Sequence, residues 1–216
     1  MATLLHLDSS LNGDASASRA VTAAFRTAWE KRHPDGRVVH RDLAEAPVPH
    51  FDAVVARSAG VPADAQTPQE KAAAAYREAL LTELESADAI VIGAPMYNYT
   101  IPSTLKAWID HVLVIGRTAA TGQRTTEGKP VTVVASRGGS YAPGTPQEGN
   151  DYVQNYLGYV LGDVLGFDLE FIVPELTLAA SVPAMAELVP LAEASRTRAL
   201  GAAEERATAL ADRLAS

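Results

Sequence analysis

The sequence predicts an α/β fold built on a five-stranded parallel sheet with helices on both faces. Short apolar runs alternate with longer segments of helical periodicity along the whole 216-residue chain. The run at residues 89–93, Ala-Ile-Val-Ile-Gly, is apolar without alternation, as expected of a strand covered on both faces. Because crossovers between parallel strands are right-handed, the intervening helices are expected on both sides of the sheet.

Each element follows from its own local pattern. The apolar runs predict strands at residues 3–7, 37–43, 89–93, 131–135 and 168–173. Apolar residues spaced by three and four predict a first helix that ends near residues 33–36 and a third that passes through Trp108 and Val112. The other helices are predicted at residues 67–86, about 146–165 and 185–214.

The middle of the chain contains the clearest helix start. Thr67, Pro68 and Glu70 form a capping-box pattern, with proline at the first helical position. Residues 44–66, which contain three prolines, predict a long excursion over the surface and not a linker. We therefore expect a single domain over residues 1–216.

Composition excludes several classes of protein. The chain has 18 basic and 26 acidic residues and no basic run, so nucleic acid is not an expected partner. It has no cysteine, which excludes disulfides, and its five histidines lack metal-ligand spacing, so no metal is expected. Apolar runs are too short to span a membrane, and no signal peptide is recognised, which predicts a cytoplasmic protein.

Three distinctive loops each follow a predicted strand, where open α/β sheets bind ligands. The first, residues 8–18, is rich in serine and opens the first helix, whose free amides could hold a phosphate. The second, residues 93–103, places aromatic residues, Met96 and Asn98 between two prolines, which suits a planar heteroaromatic ligand. The third, residues 136–141, has paired glycines that let backbone amides approach a ligand.

Each loop also has a simpler interpretation. The first could be a solvated loop with Ser16 or Ser18 as N-cap, and the second could pack on its own domain. The third could be only a turn. The combination is more specific, because a phosphate site after the first strand and ring-binding loops after the third and fourth match the FMN site of a flavodoxin-like sheet with order 2-1-3-4-5.

At these loops the sequence resembles the FMN-dependent NADH:quinone oxidoreductase and azoreductase family, over almost the whole chain. The matching motifs are Ser9-Ser10, Ser16-Ala17-Ser18, Ala94-Pro95-Met96-Tyr97-Asn98-Tyr99 and Ser136-Arg137-Gly138-Gly139. The resemblance implies one flavodoxin-like domain with tightly bound FMN. It also implies a homodimer with active sites at its interface, and a ping-pong cycle in which NADH or NADPH reduces the flavin before an acceptor is reduced.

The resemblance also assigns residues. Ser10 and the turn Ser16, Ala17 and Ser18 would hold the phosphate. The ring and ribityl chain would contact Pro95, Met96, Tyr97, Asn98, Tyr99, Ser136, Arg137, Gly138 and Gly139. Asn98 and Tyr141 are the candidate catalytic residues, with Tyr141 as a hydrogen-bond donor near the flavin carbonyl edge.

The sequence departs from the family where substrate would bind. Ala119 and Thr121 stand where family members often carry aromatic residues, and Asp163 replaces the aromatic residue of a Leu-Gly-Phe pattern. We expect a wider or more polar pocket, for a bulky polycyclic or hydroxylated quinone, with azo compounds as further acceptors. Asp163 could equally be a solvated residue near a helix end.

Two other functions fit the same fold. An electron-carrier flavodoxin would also be acidic and bind FMN, but would exchange single electrons with partner proteins. A flavin-free α/β interaction module would use the three loops only as turns. The long excursion at residues 44–66 and the family motifs favour the enzyme.

Overall fold

The computed structural model describes residues 1–119 and 124–215, and its five strands form one parallel sheet. The strands are β1 (Thr3–Asp8), β2 (Arg37–Asp42), β3 (Ala89–Gly93), β4 (Pro130–Val134) and β5 (Asp168–Ile172). Their order is β2-β1-β3-β4-β5, and every neighbouring pair is parallel. The predicted fold class and strand order are confirmed.

Helices cover both faces of the sheet. They are α1 (Ala17–Arg32), α2 (Ala53–Ser58), α3 (Pro68–Ser86), α4 (Ser103–Val112), α5 (Tyr152–Leu157) and α6 (Val189–Ala215). A π-helix, Gly158–Val164, continues α5, and short 3₁₀ turns occupy Gly13–Ala15 and Pro183–Leu188. None of the helices in the described ranges is both long and apolar enough to cross a membrane.

The core has two layers, one on each side of the sheet. Leu4 of β1 packs with Phe25 and Trp29 of α1 and with small residues of α6. Leu5, the next residue of β1, belongs to the opposite layer with Trp108 of α4 and with α3 and α5. This alternation along one strand follows from the two-residue period of side chains in a sheet.

The start of α3 agrees with its predicted capping box. The Glu70 amide donates to the Thr67 hydroxyl, and the Glu70 carboxylate accepts from the Thr67 amide. The short helix α2, in contrast, was not predicted. It lies in the excursion at residues 44–66 and starts at Asp52, whose carboxylate accepts from two first-turn amides. Its six residues are too few to give a periodic apolar stripe.

The helix predicted at about residues 146–165 begins later than expected. Gly144 and Gly149 have positive φ angles, 82° and 84°, and place this stretch in turns, so that α5 starts only after its N-cap Asp151. Beyond Leu157 the chain changes to π-helical bonding, and the helix ends before Gly166, which has a φ of 75°.

Candidate cofactor site

A groove of about 450 Å³ lies at the carboxyl ends of the strands, a volume typical of small-molecule sites. The loops after β1, β3 and β4 line it together, with a segment after β5, residues 174–182, as the fourth wall. The lining residues are Ser10, Asn12, Ala15, Ser16, Ala17, Pro95, Met96, Tyr97, Ser136, Gly138, Thr177, Leu178 and Ser181. The structure thus brings together the three loops that the sequence singled out.

One end of the groove is the N-terminus of α1. Ser16 is the N-cap, and its hydroxyl accepts from the Arg19 amide at 3.2 Å. The Ser16 hydroxyl also lies 3.1 Å from that of Ser18, whose side chain is fully buried. The amides of Ala17 and Ser18 in the first helical turn have no intrahelical partner, which suits this end of the groove to an anion.

Arg19, in the first turn of α1, is already paired with acidic groups. The Arg19 guanidinium donates to both carboxylate oxygens of Asp42, at 2.5 and 2.7 Å, and to the Ser10 carbonyl at 2.8 Å. Burial disfavours the charged form of Asp8, but the His40 and His6 imidazoles and the Thr22 hydroxyl lower its pKa well below the usual range. A phosphate here would therefore be held mainly by hydroxyls, amides and the helix terminus.

The second of the three loops, residues 93–103, contains a tight hairpin. Tyr97 and Thr100 exchange backbone hydrogen bonds of 2.8 and 3.1 Å across two residues, Asn98 and Tyr99. Both of these have positive φ, 49° and 71°, as the central residues of a type I′ turn do. Both are exposed at the tip and do not line the groove, whereas Pro95, Met96 and Tyr97 form its wall.

Tyr97 ties two of the loops together. Its phenol oxygen accepts from the Leu11 amide at 2.9 Å and lies 3.2 Å from the Ser10 hydroxyl. The Met96 amide donates to the Ser136 carbonyl at 2.7 Å, which joins the second loop to the third. The walls of the groove are therefore fixed to one another by hydrogen bonds as well as by the sheet.

The third loop is clamped by the segment at residues 174–182. Amides of Leu176, Thr177 and Leu178 donate to carbonyls of residues 139, 137 and 138, at 3.1, 3.2 and 3.3 Å. A Cβ atom at Gly138 would lie 2.5 Å from Leu178 Cδ1, so a larger residue there would displace the exposed side chain of Leu178. Sequence reasoning missed this fourth wall, although its place after a fifth parallel strand could have indicated it.

The side chain of Arg137 does not enter the groove. It is buried, makes an ion pair with Asp151, and lies 3.3 Å from a carboxylate oxygen of Glu175. Its guanidinium carbon also lies 5.4 Å from the centre of the Tyr141 ring. Burial and the nearby Tyr99 raise the pKa of Tyr141, so its phenol is protonated at neutral pH and can donate a hydrogen bond.

The residues predicted to contact substrate lie elsewhere. Ala119 is buried in the core, Asp163 is exposed on the π-helix, and Thr121 lies outside the described residues. The Asp163 carbonyl accepts from the Arg124 guanidinium at 2.7 Å. Because α4 and the π-helix lead to the amino ends of β4 and β5, these positions are at the opposite edge of the sheet from the groove.

The chain is similar to known proteins over its whole length. Residues 2–197 match the family described as having a flavodoxin-like fold. The chain is 61% identical to the FMN-dependent NADH:quinone oxidoreductase of Streptomyces avermitilis, with 100% of both chains covered. It is 60% identical to the protein of the same name from Streptomyces coelicolor, with 99% of this chain and 97% of that one covered.

A solved structure supports the fold. The crystal structure of azoreductase from Bacillus anthracis str. Sterne superimposes with a TM-score of 0.80 at 24% identity, covering 96% of this chain and 99% of that one. Sequence identity of 60–61% across nearly the whole length of two relatives shows the family as well as the fold. The chain belongs to the flavodoxin-like family that contains the FMN-dependent NADH:quinone oxidoreductases.

Proposed function

We propose that this protein is an FMN-dependent NADH:quinone oxidoreductase. The observation that carries the proposal is the groove in which a helix N-terminus, a serine-lined loop and an aromatic loop meet at the carboxyl edge of a flavodoxin-like sheet. The names of the full-length relatives support FMN as cofactor and NADH as donor. The electron-carrier function is less favoured, because those relatives are named as oxidoreductases.

The groove fits FMN at both ends. The hydroxyls of Ser10 and Ser16 and the first-turn amides of α1 would hold the phosphate. Pro95, Met96 and Tyr97 would contact the ring and ribityl chain on one side, and the backbone of Ser136 to Gly139 would contact the other side. When bound, FMN supplies the hydride acceptor and donor, which no side chain of a cysteine-free protein supplies.

The protein itself would bind FMN and orient its ring. The hydrogen bonds of Tyr97 and Met96 hold the walls in place, and the apolar wall keeps water from one side of the ring. Tyr141, protonated at neutral pH, is our proposed donor toward the flavin carbonyl edge, and Asn98, at the exposed hairpin tip, is the second proposed catalytic residue. NADH and the acceptor would then occupy the open side of the groove in turn, as a ping-pong cycle requires.

We further propose a homodimer whose second copy completes the active site. The exposed Asp163 lies at the opposite edge of the sheet from the groove of its own chain, so it would reach an acceptor only in the groove of a second copy, across an interface. Exposed Tyr152 and Tyr159, on the α5 and π-helix stretch, offer apolar surface for that contact. The acceptor would be a quinone, including bulky or hydroxylated ones, or an azo compound, and the reaction would occur in the cytoplasm, where NADH is available.

One purified sample tests these proposals. We expect untagged protein to bind one FMN per chain, to lose the oxidised-flavin absorbance with NADH under anaerobic conditions, and to regain it when a naphthoquinone is added. Sedimentation velocity on the same sample should give the mass of a dimer. Absence of FMN binding would overturn the flavin proposals. Bound FMN with negligible NADH oxidation would favour the electron carrier instead.

A further inference from the structure

A second cluster of polar side chains lies outside the FMN groove, on the face of the sheet that α1 covers. His6 and Asp8 are two residues apart on β1 and therefore project from the same face. The pairing of β1 with β2 places His40 directly opposite His6, and their ring centres are 4.5 Å apart. The two histidines are 34 residues apart in sequence, so their spacing does not indicate that they are neighbours.

The three side chains converge on a single point. The Nε2 atoms of His6 and His40 each lie 3.1 Å from the same oxygen, Asp8 Oδ2. One ligand atom from each of the three residues lies within 4.8 Å of the others. Two ligands of a tetrahedral ion, bound at about 2.0–2.2 Å, are roughly 3.3–3.6 Å apart, so only small shifts would place an ion between them.

The buried histidine of the cluster lacks a hydrogen bond. His6 is 3% exposed, and neither of its ring nitrogens has a hydrogen-bond partner within the described part of the chain. Its Nε2 is close to Asp8 Oδ2 but is not aligned with it for a hydrogen bond. Buried polar atoms are normally satisfied, so this nitrogen has a free lone pair or proton directed at the cluster.

The surroundings of the cluster orient the Asp8 carboxylate and leave space for an ion. The Thr22 hydroxyl donates to Asp8 Oδ1 at 2.9 Å, which fixes the carboxylate and leaves Oδ2 for a ligand. A cavity of about 450 Å³ adjoins the cluster and is lined by all three of its side chains. The side chain of His40 is 37% exposed, which gives an ion access from solvent.

The donor set indicates the kind of ion. Two imidazoles and one carboxylate suit zinc and similar divalent transition metals, whereas magnesium and calcium prefer sites made only of oxygen. Arg19 Nη1 is 3.9 Å from Asp8 Oδ2, but Nη1 and Nη2 of this guanidinium both donate to the Asp42 carboxylate, which compensates its charge. Three protein ligands would leave one coordination position for water.

We propose that His6, Asp8 and His40 form a binding site for one zinc-class divalent cation, separate from the FMN groove. The site uses side chains to which the proposed oxidoreductase chemistry gives no role. Its occupancy can therefore be measured without reference to turnover.

The test is metal titration of untagged, FMN-saturated protein after chelator treatment. We expect one Zn²⁺ per chain by calorimetry, and visible d–d absorption of tetrahedral type when Co²⁺ is added, with no displacement by excess Mg²⁺. His40→Gln should weaken Zn²⁺ binding at least about tenfold and abolish the Co²⁺ absorption, because it removes a ligand. His50→Gln removes an exposed imidazole outside the cluster and should leave both unchanged.

Two results would overturn the proposal. One is the absence of stoichiometric Zn²⁺ or Co²⁺ binding by the wild-type protein. The other is equal binding by wild type and His40→Gln, which would place any bound ion elsewhere. Asp8→Asn replaces a second ligand and should also weaken Zn²⁺ binding, with circular dichroism to verify that the variant is folded. FMN binding and NADH oxidation are measured on the same samples, so loss of the metal site leaves the proposed function separately testable.

Discussion

At the scale of single residues, Gly138 lies where a side chain would collide with the wall of the cofactor groove. A methyl group at Gly138 would contact Leu178 Cδ1 at 2.5 Å and Cγ at 2.8 Å, whereas one at Gly139 would meet only Tyr141 Cε2 at 3.9 Å. Only the first contact forces a neighbour to move, and that neighbour belongs to the fourth wall of the groove.

We therefore expect Gly138→Ala to raise the Kd for FMN by up to about tenfold, equivalent to about 1.4 kcal/mol, because the displaced Leu178 side chain belongs to the wall of the groove. Gly139→Ala is the matched control and should change the Kd by less than about twofold, since its new methyl makes an ordinary contact. Fluorescence titration of FMN measures both. Equal effects of the two substitutions would show that space at residue 138 does not control binding.

Motifs predicted which loops form the site but not where every side chain points. The Ser-Arg-Gly-Gly motif located the third loop, yet the Arg137 side chain turns to Asp151, 14 residues further along. Asn98 lies at the exposed tip of a hairpin because the type I′ turn directs it there. Side-chain direction depends on partners distant in sequence, which a local pattern does not contain.

At the scale of elements, Arg137 joins three parts of the fold. It follows β4, pairs with Asp151 at the start of α5, and lies 3.3 Å from Glu175 in the segment after β5. Removing one partner of a buried ion pair leaves the other charge uncompensated in a poorly solvated place.

We expect Arg137→Met to lower the free energy of unfolding by about 3–5 kcal/mol. Arg26→Met removes the solvent-exposed i,i+4 pair with Glu30 and should cost less than about 0.5 kcal/mol. Urea unfolding of both variants and the wild type measures the difference. A small, equal loss in both would mean that the Arg137 pair contributes no more than a surface pair.

The elements differ in how well local sequence defines them. The start of α3 was predictable because its capping box involves only residues 67–70. The start of α5 was not, because Gly144 and Gly149 hold the preceding residues in turns despite their helix-compatible composition. The sequence pattern predicted one continuous helix and did not predict the change to a π-helix after Leu157.

At the scale of the whole molecule, His111 connects the surface excursion to the body of the fold. It is almost fully buried on α4, and its Nε2 lies 3.0 Å from the Pro49 carbonyl, to which it donates as the protonated nitrogen. Burial lowers the pKa of His111, with a smaller contribution from Arg77, and the hydrogen bond to Pro49 opposes this only in part.

This direction predicts how stability depends on pH. Because the folded state binds the proton of His111 more weakly than the unfolded state, its contribution is complete above about pH 6.5 and is lost as the pH falls below that value. The slope from one such group is at most about 1.4 kcal/mol per pH unit. We expect the free energy of unfolding, measured with urea between about pH 7.5 and 5, to decline less steeply with falling pH in His111→Gln than in wild type. Plots of the free energy of unfolding against pH that run parallel for the two proteins would show that His111 does not contribute to the pH dependence.

Sheet order was the global property that sequence predicted best, because the loops after three of the strands matched the ligand site of a flavodoxin-like sheet, whose strand order is known. Contacts between strands were harder to predict. His6 and His40 meet only because β1 and β2 pair in one particular register, and a shift of one residue would send one of them to the other face.

The hydrogen bonds of Tyr97 have a consequence for the order in which the protein folds. They join this residue to Ser10 and Leu11, which are 87 and 86 positions away in sequence. Contacts of such separation form late, after the chain has closed a large loop and paired β1 with β3. If the groove forms only after these contacts, we expect bound FMN to slow the unfolding of the protein and to leave its folding rate almost unchanged.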